Sequence, residues 1–207
     1  MVIVFDFDGT LADSLSVILD VYNHEVVPKW GLKPVSQEDW HRMRQSSIPK
    51  GMREVGVKPY QAVKLLNEGR RLIKARAHDI KLFPGAVDMI NHLADQKHQM
   101  FVLSSNDQAL VEEVLKAGGI SSQLQVLKAT RLFGKANSLR RLLRQTATVP
   151  SDAWMIGDEV RDMTAAKRAG MRSIAVTWGF QPEVVLAGLK PDAIVHSFSE
   201  IPKLLSA

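Results

Sequence analysis

Asp6 and Asp8 are the first residues in the chain whose type and spacing could do chemistry. They lie in Val2-Ile3-Val4-Phe5-Asp6-Phe7-Asp8-Gly9-Thr10, where a short apolar run breaks into acid, apolar, acid, glycine and hydroxyl. The run reads as a buried strand of a parallel sheet. Extended chain puts alternate side chains on one face, so the spacing predicts that Asp6 and Asp8 point the same way while Phe5 and Phe7 stay with the core. Two carboxylates about 6 Å apart repel by roughly 3 kcal/mol at an effective dielectric of about 20. The pair becomes useful when a divalent cation, or a dianion held by cations, lies between them. Taken alone, Asp-Gly-Thr also suits a turn in which Asp8 and Thr10 bond to nearby backbone.

Three later clusters carry similar chemistry. Phe101-Val102-Leu103-Ser104-Ser105-Asn106-Asp107 is an apolar strand ending in hydroxyls and a helix cap, and a helix N-terminus is itself an anion site. Lys135, in Phe133-Gly134-Lys135, starts a predicted helix, where a positive charge opposes the helix dipole; Lys128 is the competing lysine. Ile156-Gly157-Asp158-Glu159-Val160-Arg161-Asp162 places acids at a strand end and helix start, with Glu159 expected to point outward.

The elements that must position these clusters follow from periodicity. From Ser14, a candidate N-cap, Leu15, Ile18, Leu19, Tyr22 and Val26 recur at helical spacing as far as about Val27, ahead of Pro28. Ser36, followed by acids, predicts the start of a second helix. Residues 44–59 read as a loop with one short helix, and 60–77 as a helix with a basic end. After Phe83-Pro84-Gly85 the pattern alternates: strands over 99–103, 123–128, 153–156, 172–176 and 193–195, and helices over 108–116, 135–145, 161–169 and from Glu200. Such alternation predicts an α/β, Rossmann-like parallel sheet with helices on both faces, interrupted after its first strand by an all-helical insert. Each cluster then falls at the carboxyl end of a strand, where open α/β sheets bind ligands.

The composition is that of an ordinary soluble globular chain: 207 residues, 45% hydrophobic and 24% charged. With no cysteine there is no disulfide framework, thiolate metal site or thiol nucleophile. No leader or membrane-spanning run is evident, so a cytoplasmic location is expected. The six histidines show no metal spacing, and the four tryptophans suit packing, with Trp178-Gly179-Phe180 expected near the site. The net charge of +5 has one source: residues 14–82 hold 13 basic and 7 acidic side chains, leaving the remainder at −1. A nucleic-acid reader shows such an excess too, but so does a lid that draws a small anion to an acidic floor, and the latter is expected here.

Taken in order, the four clusters resemble the signatures of the haloacid dehalogenase-like superfamily, and the layout is most similar to phosphoglycolate phosphatase-like members with a helical cap. The resemblance spans residues 1–180. It implies a Mg²⁺-dependent phosphatase with Asp6 as nucleophile, Asp8 as general acid/base, and Ser104 (or Ser105) with Lys135 holding the phosphoryl group. Asp6, Asp8, Asp158 and Asp162 would serve the metal. Thr10, Ser105 and Asn106 would line the substrate site. The catalytic core would be 1–13 and 83–207 and the cap 14–82, where Arg44, Lys50 and Arg53 are expected to meet an anionic remote end of a small phosphorylated metabolite. A phosphomutase of the same superfamily, or a receiver-type phospho-accepting module, stays open as an alternative.

Overall fold

The computed structural model describes residues 1–43, 48–129 and 134–206, and they divide into two compact units: Met1–Asp13 with Lys81–Ala207, and Ser14–Ile80. The strands are β1 (Val2–Phe5), β2 (Ala12–Asp13), β3 (Lys81–Leu82), β4 (Gln99–Ser104), β5 (Leu124–Lys128), β6 (Ala153–Gly157), β7 (Arg172–Val176) and β8 (Ala193–Val195). The smaller unit holds α1 (Leu15–Val21), α2 (Val27–Trp30), α3 (Gln37–Met43), α4 (Ile48–Glu54) and α5 (Ala62–Ala75). The larger unit holds α6 (Ala86–Asp95), α7 (Gln108–Ala117), α8 (Gly134–Gln145), α9 (Val160–Ala169), α10 (Glu183–Ala187) and α11 (Glu200–Leu205).

Six strands of the larger unit form a parallel sheet in the order β5-β4-β1-β6-β7-β8. β1 is central and buried on both faces, which is why it carries no polar alternation. Its last residue, Phe5, lies opposite Val102 of β4 and Ile156 of β6. The chain runs outward from β4 to β5, returns across β1 to β6, and then runs outward the other way to β8. Right-handed crossovers in opposite directions place their helices on opposite faces. On one face α8 and α9 bury Leu139, Leu142, Ala165 and Ala166 against Val4, Leu103 and Met155. The reversal of strand order at β1 opens a crevice at the carboxyl ends of β4, β1 and β6, where three of the acidic or hydroxyl clusters arrive.

β2 and β3 pair antiparallel outside this sheet, an element too short for periodicity to reveal. It ties Lys81 and Leu82 into the larger unit.

The smaller unit packs around Val35, Val55 and Val57, with Leu19, Trp40 and Leu65 against them. Its first helix does not stop ahead of Pro28. A π turn over Tyr22–Val26 leads into α2, which ends at the left-handed Gly31. Proline has no N–H to give to the preceding turn, and the widened turn just upstream accommodates its ring. Ser14 makes no side-chain cap, contrary to expectation. Ser36 does: its hydroxyl accepts from Asp39 N–H at 3.0 Å, and its own N–H donates to the Asp39 carboxylate at 3.2 Å.

Candidate active site

The β1 ladder ends at Phe5, and the next residue begins the chemistry. Asp6 N–H donates to the Ile156 carbonyl at 2.8 Å, after which the Phe7 carbonyl accepts from Thr10, Leu11 and Ala12 in a tight turn. The regular β1 ladder therefore ends before Asp8. Asp6 is buried; Asp8 is half-buried, with Asn106 Nδ2 at 3.3 and 3.4 Å from its oxygens. Gly9 turns the chain at φ +77°, and a Cβ there would stand 2.3 Å from Asp158 Oδ2. Only glycine allows both.

Asp6, Asp158 and Asp162 are all buried and bring carboxylate oxygens within 4.8 Å of one another. The Asp8 carboxylate is not in this group, and the contact expected of Asp8 with the metal is through its backbone carbonyl. Asp158 is held from two sides: Thr10 Oγ1 donates to Oδ1 at 2.7 Å and Phe180 N–H donates to Oδ2 at 2.6 Å. Thr10 is thus buried, with its hydroxyl proton given to Asp158. Asp162, in the first turn of α9, accepts from Glu159 N–H at 3.1 Å and from Lys135 Nζ at 2.6 Å.

Lys135 Nζ also lies 2.6 Å from Asp6 Oδ2, so this one buried cation bridges two acids. That accounts for a lysine at the start of α8 despite the helix dipole. Lys128, at the exposed end of β5, plays no such part.

The electrostatics are unbalanced. Burial works to raise the Asp6 carboxyl, but the charges of Lys135 and Arg161 overcome it and hold it below its ordinary value. Burial, and then the Asp6 charge, push Asp162 up to about 7, with Lys135 only partly opposing. Asp158 is driven well above the carboxylate range by burial and by the charges of Asp6 and Asp162. Lys135 is raised, since the two acids outweigh its burial. Asp6 Oδ1 accepts from Phe7 N–H at 2.7 Å, and the buried Oδ2 faces the Lys135 ammonium at 2.6 Å. An all-oxygen group of three buried acids, with like charges forced together, fits a hard divalent cation.

At the end of β4, Ser104 is buried and its hydroxyl accepts from Asn106 N–H at 3.0 Å, which leaves its proton to donate elsewhere. Ser105 is exposed. Asp107 caps α7 through Ala109 N–H at 3.1 Å. Lys50 and Arg53 lie exposed on α4 of the smaller unit, and Arg44 lies outside the described residues.

Sequence reasoning missed Arg161. It pairs with Glu159 through Nε at 3.1 Å and brings Nη2 to 3.6 Å from Asp6 Oδ2, so Glu159 is turned toward a site cation instead of outward. A basic residue between two acids of one motif was the available signal. The segment after β7 does sit at the site. Trp178 Nε1 donates to the Thr10 carbonyl at 3.1 Å, and a Cβ on Gly179 would lie 2.3 Å from Asp158 Cβ.

The chain is similar to known proteins along nearly its whole length. The chain is 32% identical over 200 residues to a phosphoglycolate phosphatase of Synechococcus elongatus, covering 96% of this chain and 94% of that one. It is 27% identical to a probable phosphatase of Dickeya dadantii, covering 96% and 90%. A haloacid dehalogenase-like family hydrolase from Streptococcus pneumoniae shares the fold at TM-score 0.85, with 22% identity and coverage of 98% and 97%. Among the described residues no helix is long and apolar enough to cross a membrane. The sequence profile described as haloacid dehalogenase-like hydrolase matches residues 3–176, from the first residues of β1 to the end of β7, and the chain belongs to that family.

Proposed function

We propose that this hydrolase is a Mg²⁺-dependent phosphatase that cleaves a small phosphate monoester through an aspartyl phosphate on Asp6. The observation that carries the reading is the buried Asp6 carboxylate, held below its ordinary pKa by Lys135 at 2.6 Å, with two further buried acids alongside. Asp6, Asp158 and Asp162 would hold the ion, Asp162 also steadying Lys135. When bound, the ion would offset the charge of the acids and of the incoming phosphate dianion. Three carboxylates, an all-oxygen donor set, suit magnesium.

Asp6 attacks phosphorus, forming the Asp6–phosphorus bond as the bond to the ester oxygen breaks. Asp8, protonated, gives its proton to the departing oxygen. Water then attacks the acyl phosphate, Asp8 takes a proton from it, and inorganic phosphate leaves with Asp6 restored. Ser104 donates its hydroxyl proton to a phosphoryl oxygen, and Lys135 supplies positive charge beside the nucleophile. Asn106 keeps the Asp8 carboxyl oriented.

The likeness to the Synechococcus phosphatase favours a substrate similar to phosphoglycolate, and the basic excess of residues 14–82 favours one with an anionic remote end. Residues 14–82 would act as the selecting cap, with Arg44, Lys50 and Arg53 contributing. The test is phosphate release from an aryl phosphate and from phosphoglycolate, with Mg²⁺ and with EDTA. The expected result is turnover that requires Mg²⁺ and is lost in Asp6→Asn. Activity that survives chelation contradicts the metal role. Quantitative return of the phosphoryl group to a second substrate hydroxyl, with none passed to water, would mark a phosphomutase instead.

A further inference from the structure

We propose that Arg161 is a second substrate-contacting cation of this site, taking a non-bridging oxygen of the phosphoryl group; the inference rests on the phosphatase reading above. Arg161 occupies the second position of α9, where a positive charge opposes the helix dipole, so helix stability does not explain it. Its guanidinium is anchored from behind by Glu159, with Nε 3.1 Å from Oε2. That anchor leaves the terminal nitrogens forward, and Nη2 stands 3.6 Å from Asp6 Oδ2, too far for a hydrogen bond. The donors at that end are therefore aimed beside the nucleophile without being taken up by it.

Exposure separates the two cations of the site. The Lys135 side chain is 5% exposed and bridges two acids, whereas that of Arg161 is 44% exposed. An arriving dianion can meet Arg161 from solvent, whereas Lys135 is already engaged by Asp6 and Asp162. The planar fork of arginine can place two N–H groups on adjacent phosphoryl oxygens, which an ammonium cannot do. Glu159 limits the freedom of the side chain before the ligand arrives, so less motion is lost on binding.

The experiment is calorimetric titration of the Mg²⁺-loaded protein with inorganic phosphate, together with kcat and KM for an aryl phosphate. Wild type would be compared with Arg161→Ala, Arg161→Gln and Arg161→Lys, each checked by thermal melting. The expected result is phosphate affinity reduced at least about 10-fold in Ala and Gln, the loss of a charge-assisted hydrogen-bond pair, with Lys intermediate and KM raised in parallel. Phosphate affinity within about twofold of wild type in Ala and Gln overturns the proposal, even if kcat falls, because Arg161 would then act only through Asp6. If wild type binds phosphate but hydrolyses no phosphate ester, the phosphatase reading fails while the titration still decides Arg161. If wild type binds no phosphate, both fail.

Discussion

Gly179→Ala tests how tightly the segment after β7 closes on the acidic group. An added Cβ would stand 2.3 Å from Asp158 Cβ, 2.4 Å from Asp158 Oδ2 and 2.4 Å from the Gly9 carbonyl oxygen. Each approach is about 1 Å inside ordinary contact, and two of the three atoms are backbone or fixed directly to it, so no rotamer change relieves them. Overpacking of this kind costs about 1–3 kcal/mol. For a chain of this length that lowers Tm by roughly 2–12 °C. The relief available is displacement of Asp158, which would also weaken the cation site. In wild type, Mg²⁺ at about 100 times its Kd should add roughly 2.7 kcal/mol; the variant should lose most of that increment. Gly69→Ala in α5 is the control, because a Cβ there meets nothing within 4 Å and alanine gains up to about 1 kcal/mol of helix propensity. Calorimetric melting of both variants, with EDTA and with Mg²⁺, checks the pair. A Gly179→Ala protein melting within about 1 °C of wild type, with an undiminished Mg²⁺ shift, would refute the packing argument.

Other outcomes follow from the same geometry. Thr10→Val leaves Asp158 Oδ1 without its donor and should lower stability in EDTA by about 1–3 kcal/mol; a denaturant melt reads this directly. Asp6→Asn should reduce kcat more than about 10³-fold while the protein stays folded, as seen by circular dichroism. In the smaller unit, Asp20 and Asp79 are drawn below 3.8 by hydrogen bonds from Arg76, and Glu68 below 4.5 by one from Lys29. Their folded pKa values are depressed, so the stabilisation is complete above the unfolded values and is lost as pH falls through the folded ones. Stability should drop below about pH 4, and Arg76→Ala should flatten that part of the profile in a pH series of melts.

The parallel sheet was legible because β1, β4, β6 and β7 are compact apolar runs separated by helical periods, and four clusters of reactive residues stand at strand ends. Asp158, Asp162 and Lys135 converge as their positions suggested. What was not legible depends on backbone that leaves regular structure. Asp8 lies beyond the last ladder bond of β1, in a turn whose bonds from Thr10, Leu11 and Ala12 to the Phe7 carbonyl leave no mark in a two-residue period. Thr10 turns inward because Asp158, distant in sequence, needs a donor. Glu159 and Arg161 find each other only once α9 starts. The helix through Pro28 depends on a π turn, which leaves no mark in a 3.6-residue period.

The central claim is a phosphoryl group carried on Asp6, and rapid acid quench of a single turnover with radiolabelled phosphoglycolate or aryl phosphate tests it most directly. Asp8→Asn, slowed in passing the group to water, should accumulate protein-bound label that maps to the peptide containing Asp6 and is released by mild alkali. Asp6→Asn should carry none. Turnover by wild type with no label on the protein at any quench time, and inversion of configuration at a chiral phosphate, would mean that water attacks phosphorus directly and would contradict the account.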